Sequence, residues 1–268
     1  MAKINTPFGA IGYREQGSGG IPLVFLHGVG SDKSAWDPQL AHFGTTRRTI
    51  AFDYPGYGAS DPLVERDGAP HDQFAEAIVA ALDALAIDRA HLCGLSLGGV
   101  VAIAIAHRAP HRLASLILAD SFACHPDGEA IAGRSIAASR DMPALAKARI
   151  PHLLADGSDS PLASQLVAVM QRIESSAFRF ASRAVWLADQ RDRAPTIAAP
   201  TLILCGVSDR VTPPALSEGL ATLIGGSQIK LIAGAGHLSN LEQPGSFNAE
   251  AEKFVFGIEA NTAELPTF

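Results

Sequence analysis

A serine bracketed by glycines, in Leu92-Cys93-Gly94-Leu95-Ser96-Leu97-Gly98-Gly99, is the residue of this chain best placed to act as a nucleophile. An apolar run precedes it and an alanine-rich helical stretch from Val100 to His107 follows, so the pattern reads strand, sharp turn, helix. A serine at the tip of such a turn stands clear of its neighbours in a strained backbone. Gly94 and Gly98 let strand and helix approach where a Cβ would collide. The Leu97 amide then lies at a helix N-terminus, aimed at whatever Ser96 attacks. A hydroxyl is a weak nucleophile until a base takes its proton, so a histidine and an acid must follow. Gly234-Ala235-Gly236-His237 places a histidine in a flexible loop before the last helix. Asp120 and Asp209 both lie at strand ends after Ser96, where an acid faces the same site.

Other chemistry-bearing residues read differently. His27-Gly28-Val29-Gly30 follows an apolar strand, and small residues at 28 and 30 let its backbone come close to the reacting centre. The Val29 amide is therefore a second oxyanion donor beside Leu97. His27 itself fits a role ordering that loop through hydrogen bonds rather than acting as a base. Asp53 precedes Ser96 and opens Asp53-Tyr54-Pro55-Gly56-Tyr57-Gly58-Ala59-Ser60-Asp61-Pro62, where turn chemistry alone accounts for it. Cys93, Cys124 and Cys205 are odd in number, widely spaced and set in apolar runs, which suits neither a disulfide framework nor a metal site. They read as small buried hydrophobes in a reducing compartment. No metal ligand set and no cofactor motif is expected.

The elements that must position these residues alternate. Ile4 to Gln16 is broken at Pro7 and Gly9, as in an edge hairpin. Ile21–Leu26, Arg48–Phe52, Ala90–Cys93, Leu116–Ala119, Thr201–Cys205 and Gln228–Ile232 are strand-like runs, while Phe74, Ile78, Leu82 and Leu85 recur at helical spacing. This alternation predicts a doubly wound parallel sheet with helices on both faces and a ligand site at the carboxyl ends of its strands. With 47% hydrophobic residues in 268, the chain can bury a sizeable core. Its net charge of −6 lacks the clustered cations that nucleic acid requires. The longest apolar run, Val100 to Ala106, is far too short to span a membrane, and the N-terminus lacks an apolar signal core. The expected location is cytoplasmic, the expected partner a small molecule.

Between Cys124 and Pro195 the strand-like runs stop and helical spacing continues, punctuated by Pro and Gly. We expect a helical cap over residues 124–195 on a core formed by residues 1–123 and 196–268. The cap carries a net charge of +1 against −7 for the remainder, so an arginine turned inward could hold a substrate carboxylate. Gly28, Trp36 and Trp186 are candidates for the pocket wall, although Trp186, with Phe178 and Phe180, also suits the cap's own core.

Taken together, His27-Gly28, the loop after Asp53, Gly94 to Gly99, the Asp209 loop and Gly236-His237 resemble the α/β-hydrolase superfamily across nearly the whole chain. Gly30 to Gln39, Cys93 to Gly99 and His237 to Gln243 resemble its 3-oxoadipate enol-lactonase branch, which commonly lacks the His-Gly pair present here. The resemblance implies an α/β-hydrolase fold, a mostly parallel eight-stranded sheet with the cap inserted after the sixth strand. It also implies Asp209 as the acid, from its loop setting, completing a triad of Ser96, Asp209 and His237. The implied activity is serine hydrolysis of a small ester or enol-lactone through an acyl-enzyme. The same triad also serves carbon-carbon bond hydrolases of the meta-cleavage product type and general carboxylesterases, and the fold occurs in ligand receptors.

Overall fold

Apolar runs buried on both faces become the strands, and the Gly- and Pro-rich stretches between them become turns. The computed structural model describes residues 2–155 and 160–263. Its elements in chain order are β1 (Ala2–Thr6), β2 (Gly9–Gln16), β3 (Leu23–Leu26), α1 (Asp37–Phe43), β4 (Thr49–Phe52), α2 (Pro70–Ala84), β5 (Ala90–Leu95), α3 (Leu97–Arg108) and β6 (Leu113–Ala119). Then come α4 (Gly128–Ala138), α5 (Met142–Leu153), α6 (Pro161–Met170), α7 (Ser175–Trp186), β7 (Thr201–Gly206), α8 (Pro214–Leu223), β8 (Gln228–Ile232), α9 (Ser239–Glu242) and α10 (Pro244–Ala263).

The eight strands form one sheet in the order β1-β2-β4-β3-β5-β6-β7-β8. β2 pairs antiparallel with β1 and with β4, and every pairing from β4 to β8 is parallel. Strands β3 to β7 are buried along their whole length, as a sheet covered on both faces requires. The ladder of β3 begins at Leu23 rather than Ile21, because Pro22 has no N–H to give and contributes only its carbonyl, to the His91 amide.

From β4 the chain crosses over β3 to reach β5, so the connections diverge between β3 and β5. That crevice is where ligands bind in doubly wound sheets. The register aligns the strand ends there: Leu26 lies beside Gly94, Leu95 beside Ala119, and Ala119 beside Leu204. The loops that leave these strands therefore open along one edge. Helix α3 is apolar on every side and buried from Leu97 to Ala106, packed on β5 and β6 and under α2 and α7.

Between β6 and β7 the described residues form α4 to α7 and no strand, with an isolated bridge from Cys124 to Asp189 at the base. Helix α7 buries Phe178, Phe180, Ala181, Ala184 and Val185, and Phe180 meets Phe74 of α2 edge-on at 5.1 Å. At roughly 2–3 kcal/mol for each buried aromatic of this size, α7 is fixed firmly to the core. Among the described residues, no helix is long and apolar enough to cross a membrane.

Candidate active site

Ser96 joins β5 to α3 with φ 56° and ψ −115°, a conformation that a side chain adopts only under constraint. The constraint is visible. Its amide donates to the Ala119 carbonyl at 2.9 Å, and its carbonyl accepts from Gly99 N, Val100 N and Ser121 Oγ at 2.9, 3.2 and 3.0 Å. A Cβ at Gly94 would strike the Gly98 carbonyl, and one at Gly98 would strike that of Leu26. The Ser96 hydroxyl is buried and has no hydrogen-bond partner among the described residues.

Asp209, on the loop after β7, is a carboxylate with every face used. Oδ1 accepts from the Val211 and Thr212 amides at 2.7 and 2.9 Å, and Oδ2 accepts from Thr212 Oγ1 at 2.7 Å and His237 Nδ1 at 2.9 Å. Burial works against its charge, but the His237 cation and these donors outweigh burial and hold it below the usual carboxylate value. His237 is pushed the other way: burial disfavours its cation, yet the Asp209 carboxylate prevails and holds the imidazole above its ordinary value. Donation from Nδ1 fixes the tautomer and leaves Nε2 as the acceptor.

Asp120, at the end of β6, stands one strand away. Its Oδ1 accepts from the Gly206 amide at 2.8 Å and its Oδ2 meets Ser239 Oγ. Burial, and then the neighbouring Asp209 charge, push it up to about 7. The structure thus bonds Asp209, and not Asp120, to His237. Asp120, Asp209 and Cys205 form a close buried group, but the carboxyl oxygens are engaged in these hydrogen bonds and burial drives the thiol strongly toward its protonated form. Their chemistry is that of a hydrogen-bond network rather than a metal site.

The loop at residues 27–31 approaches Ser96 from β3. His27 Nδ1 donates to the Gly28 carbonyl at 2.8 Å and Tyr57 Oη donates to the Val29 carbonyl at 2.9 Å, so both side chains shape the loop. Burial holds His27 below its ordinary value, hence neutral. Among the described residues the Val29 and Leu97 amides donate to no backbone oxygen. Asp53 is a structural ion pair: its carboxylate accepts from Lys33 Nζ, the Lys33 amide and the Ala59 amide.

Ser96, His237, Leu95, Leu238 and residues 28–31 form the floor of one cavity, and Arg149 and Leu153 of α5 with Leu166 and Met170 of α6 form its roof. The cavity measures about 20 Å³, room for about one water. A larger cleft of about 460 Å³, between Lys33 and Arg172, touches neither Ser96 nor His237.

Of the three expected wall residues, Gly28 lines the cavity and the two tryptophans do not. Trp36 is fully buried, stacked on Phe25 at 4.8 Å and close to Phe247, because a short turn after Asp32 directs it into the core. Trp186 stacks on Phe122 at 5.8 Å with His125 at its edge, at the base of the helical segment. The sequence reading missed Arg149, Thr212 and Glu242. Arg149 carried a signal, since it falls in the stripe Leu145, Ala146, Ile150, Leu153 that α5 buries. Glu242 joins the Gly236 amide to that of Ala155 at 2.8 and 2.7 Å.

Comparison with known proteins agrees with this geometry. The model of the alpha/beta hydrolase family matches residues 23–250. The 3-oxoadipate enol-lactonase 1 of Acinetobacter baylyi is 31% identical over 244 residues, spanning 88% of this chain and 89% of that protein. The enol-lactonase structure from Burkholderia xenovorans LB400 superposes with a TM-score of 0.87 at 27% identity, covering 95% of this chain and all (100%) of that one. A thermophilic esterase from Thermogutta terrifontis gives 0.87 at 26% identity over 96% of this chain and 98% of its own. With the strand order, the divergence between β3 and β5 and the family match all agreeing over the same residues, this chain belongs to the alpha/beta hydrolase family.

Proposed function

We propose that the protein is a serine hydrolase that cleaves a small ester or enol-lactone through an acyl-enzyme. One observation carries the reading: an imidazole fixed by Asp209 in the tautomer that leaves Nε2 basic shares a small cavity with an unpartnered serine hydroxyl. His237 takes the Ser96 proton as Oγ adds to the substrate carbonyl, and the Val29 and Leu97 amides stabilise the resulting oxyanion. The intermediate collapses with the leaving oxygen receiving the proton from His237. Water, deprotonated in turn by His237, releases the acid and restores Ser96. The contact between Ser96 and His237 closes in the substrate complex, where such bonds commonly tighten.

In this reading residues 124–195 are a cap whose α5 and α6 exclude water during the reaction. The similarity to enol-lactonases and an esterase supports ester and lactone bonds as the target. Ser96→Ala tests the assignment: turnover of 4-nitrophenyl acetate should fall by at least about a thousandfold while thermal unfolding is unchanged. Normal turnover by the folded variant would refute it. A panel of lactones, aryl esters and vinylogous diketones should show turnover of the first two classes.

A further inference from the structure

The cavity over Ser96 has one permanent charge on its wall. Apart from His237, Arg149 is the only titratable side chain lining it among the described residues. It extends from the buried face of α5, between Leu145, Ala146, Ile150 and Leu153. Five N–H donors meet no acceptor among the described residues, and the guanidinium lies 5.8 Å from the Phe178 ring centroid. Three other arginines of the helical segment are paired with carboxylates, Arg183 with Glu65 at 2.7 Å, Arg191 with Asp189 at 2.6 Å and Arg193 with Asp72 at 2.5 Å. Burial pushes Arg149 down to about 10, so it keeps its charge at neutral pH, and it has no counterion among the described residues. Its field reaches the reacting centre, since it opposes the protonation of His237.

A half-buried cation with no carboxylate partner among the described residues gains most from a ligand that completes it. The ligand that fits a planar fork of donors is a carboxylate, which accepts two parallel hydrogen bonds. We propose that Arg149 anchors a carboxylate of the substrate, so that this hydrolase acts on esters or lactones carrying a free carboxylate a few carbons from the scissile carbonyl. The anchor rests on the serine hydrolase reading for the chemistry after binding, but the anion subsite can be observed without turnover. Arg149 is in this sense a specificity residue: it holds the substrate and takes no part in proton transfer.

The test has two arms. In the first, glutarate binding is measured by calorimetry on the wild type, Arg149→Met and Arg149→Lys. Binding should weaken at least about tenfold in Arg149→Met and less in Arg149→Lys, which keeps the charge but loses the fork. In the second, kcat/KM is compared for mono-4-nitrophenyl glutarate and neutral 4-nitrophenyl butyrate. The wild type should favour the acid by at least about tenfold, and Arg149→Met should abolish that preference, the acid losing at least about tenfold more than the neutral ester. Should Arg149→Met fail to fold, Arg149→Lys carries both comparisons. Absence of glutarate binding at millimolar concentration, equal turnover of the two esters by the wild type, or an equal loss on both in the variant would overturn the proposal. Arg149-dependent glutarate binding with no hydrolysis of either ester would leave the anchor standing and remove the hydrolase reading.

Discussion

Replacing Asp209 by Asn should disable the protein through a tautomer, and the hydrogen bonds around the carboxylate say why. Oδ1 faces two backbone amides, Val211 and Thr212, which can only donate, so the Asn oxygen must occupy that side. The Asn NH2 is then forced toward His237 Nδ1, 2.9 Å away in the wild type, where it can only donate. His237 must answer by accepting at Nδ1, which moves its proton to Nε2, the atom that receives the Ser96 proton in the proposed mechanism. Thr212 Oγ1 avoids a clash of donors by turning to the Asp120 carbonyl at 2.9 Å, so the loop keeps its shape. The expected result is a fall in kcat of about three to four orders of magnitude, on the order of 4–5 kcal/mol of barrier. Saturating 4-nitrophenyl acetate at neutral pH measures it, and nitrogen chemical shifts of His237 report the tautomer directly. Asp120→Asn is the control. Its Oδ1 accepts from Gly206 and its other side meets Ser239, an arrangement that an amide reproduces, so the loss should stay under about tenfold. A larger loss at 120 than at 209, or an unchanged His237 tautomer in Asp209→Asn, would refute the reasoning.

The remaining expectations come from the same network. Activity should fall as pH drops through the raised His237 value, because an imidazolium cannot accept the serine proton, and a profile flat from about pH 5 to 8 would contradict the role. Arg149→Met should move that acid limb to higher pH, since Arg149 opposes His237 protonation; an unmoved limb would mean the two side chains do not interact. Asp209 is held below its ordinary value, so its charge stabilises the fold above the unfolded-state value, and this is lost as pH falls through the folded one. The melting temperature of Asp209→Asn should accordingly lie below that of wild type at neutral pH and converge on it in acid. Gly98→Ala should lower the melting temperature by several degrees, because its Cβ meets the Leu26 carbonyl and strand or helix must shift.

The alternation of strands and helices and the gathering of loops at one edge were legible because burial on both faces writes itself as unbroken apolar runs, and turns write themselves as Gly and Pro. The turn at Ser96 was legible for a related reason: the close approach of α3 to β5 requires glycine at 94, and its approach to Leu26 of β3 requires glycine at 98. Which aromatic or cation faces the cavity was not, because that depends on how an element rotates against its neighbours. Trp36 and Trp186 carry no mark in the sequence that separates a core stack from a pocket wall. Arg149 stands beside an apolar stripe that the sequence shows, but that this stripe roofs the Ser96 cavity depends on how α5 packs. The proximity of Asp120 to Asp209 likewise arises across the sheet, from residues far apart in the chain, and no local pattern encodes it.

The backbone of His237 has a further consequence for how the cavity opens. Its amide donates to the Leu153 carbonyl at 2.9 Å, and Glu242 clasps the amides of Gly236 and Ala155 together. The end of α5 is therefore stitched to the very loop that carries the imidazole. A wholesale swing of the helical segment would tear the His237–Leu153 and Ala155–Glu242 hydrogen bonds, together with those from Arg210 to the Pro151 and Ala155 carbonyls, and would drag the imidazole off Asp209. Any opening of the proposed cap would therefore pivot there, beside His237, with the travel taken up at the opposite rim, where Leu166 and Met170 of α6 line the cavity beside the glycine loop and Met170 packs on Gly30. Such contacts slide with little directional penalty, so the door can stand ajar without unseating the latch.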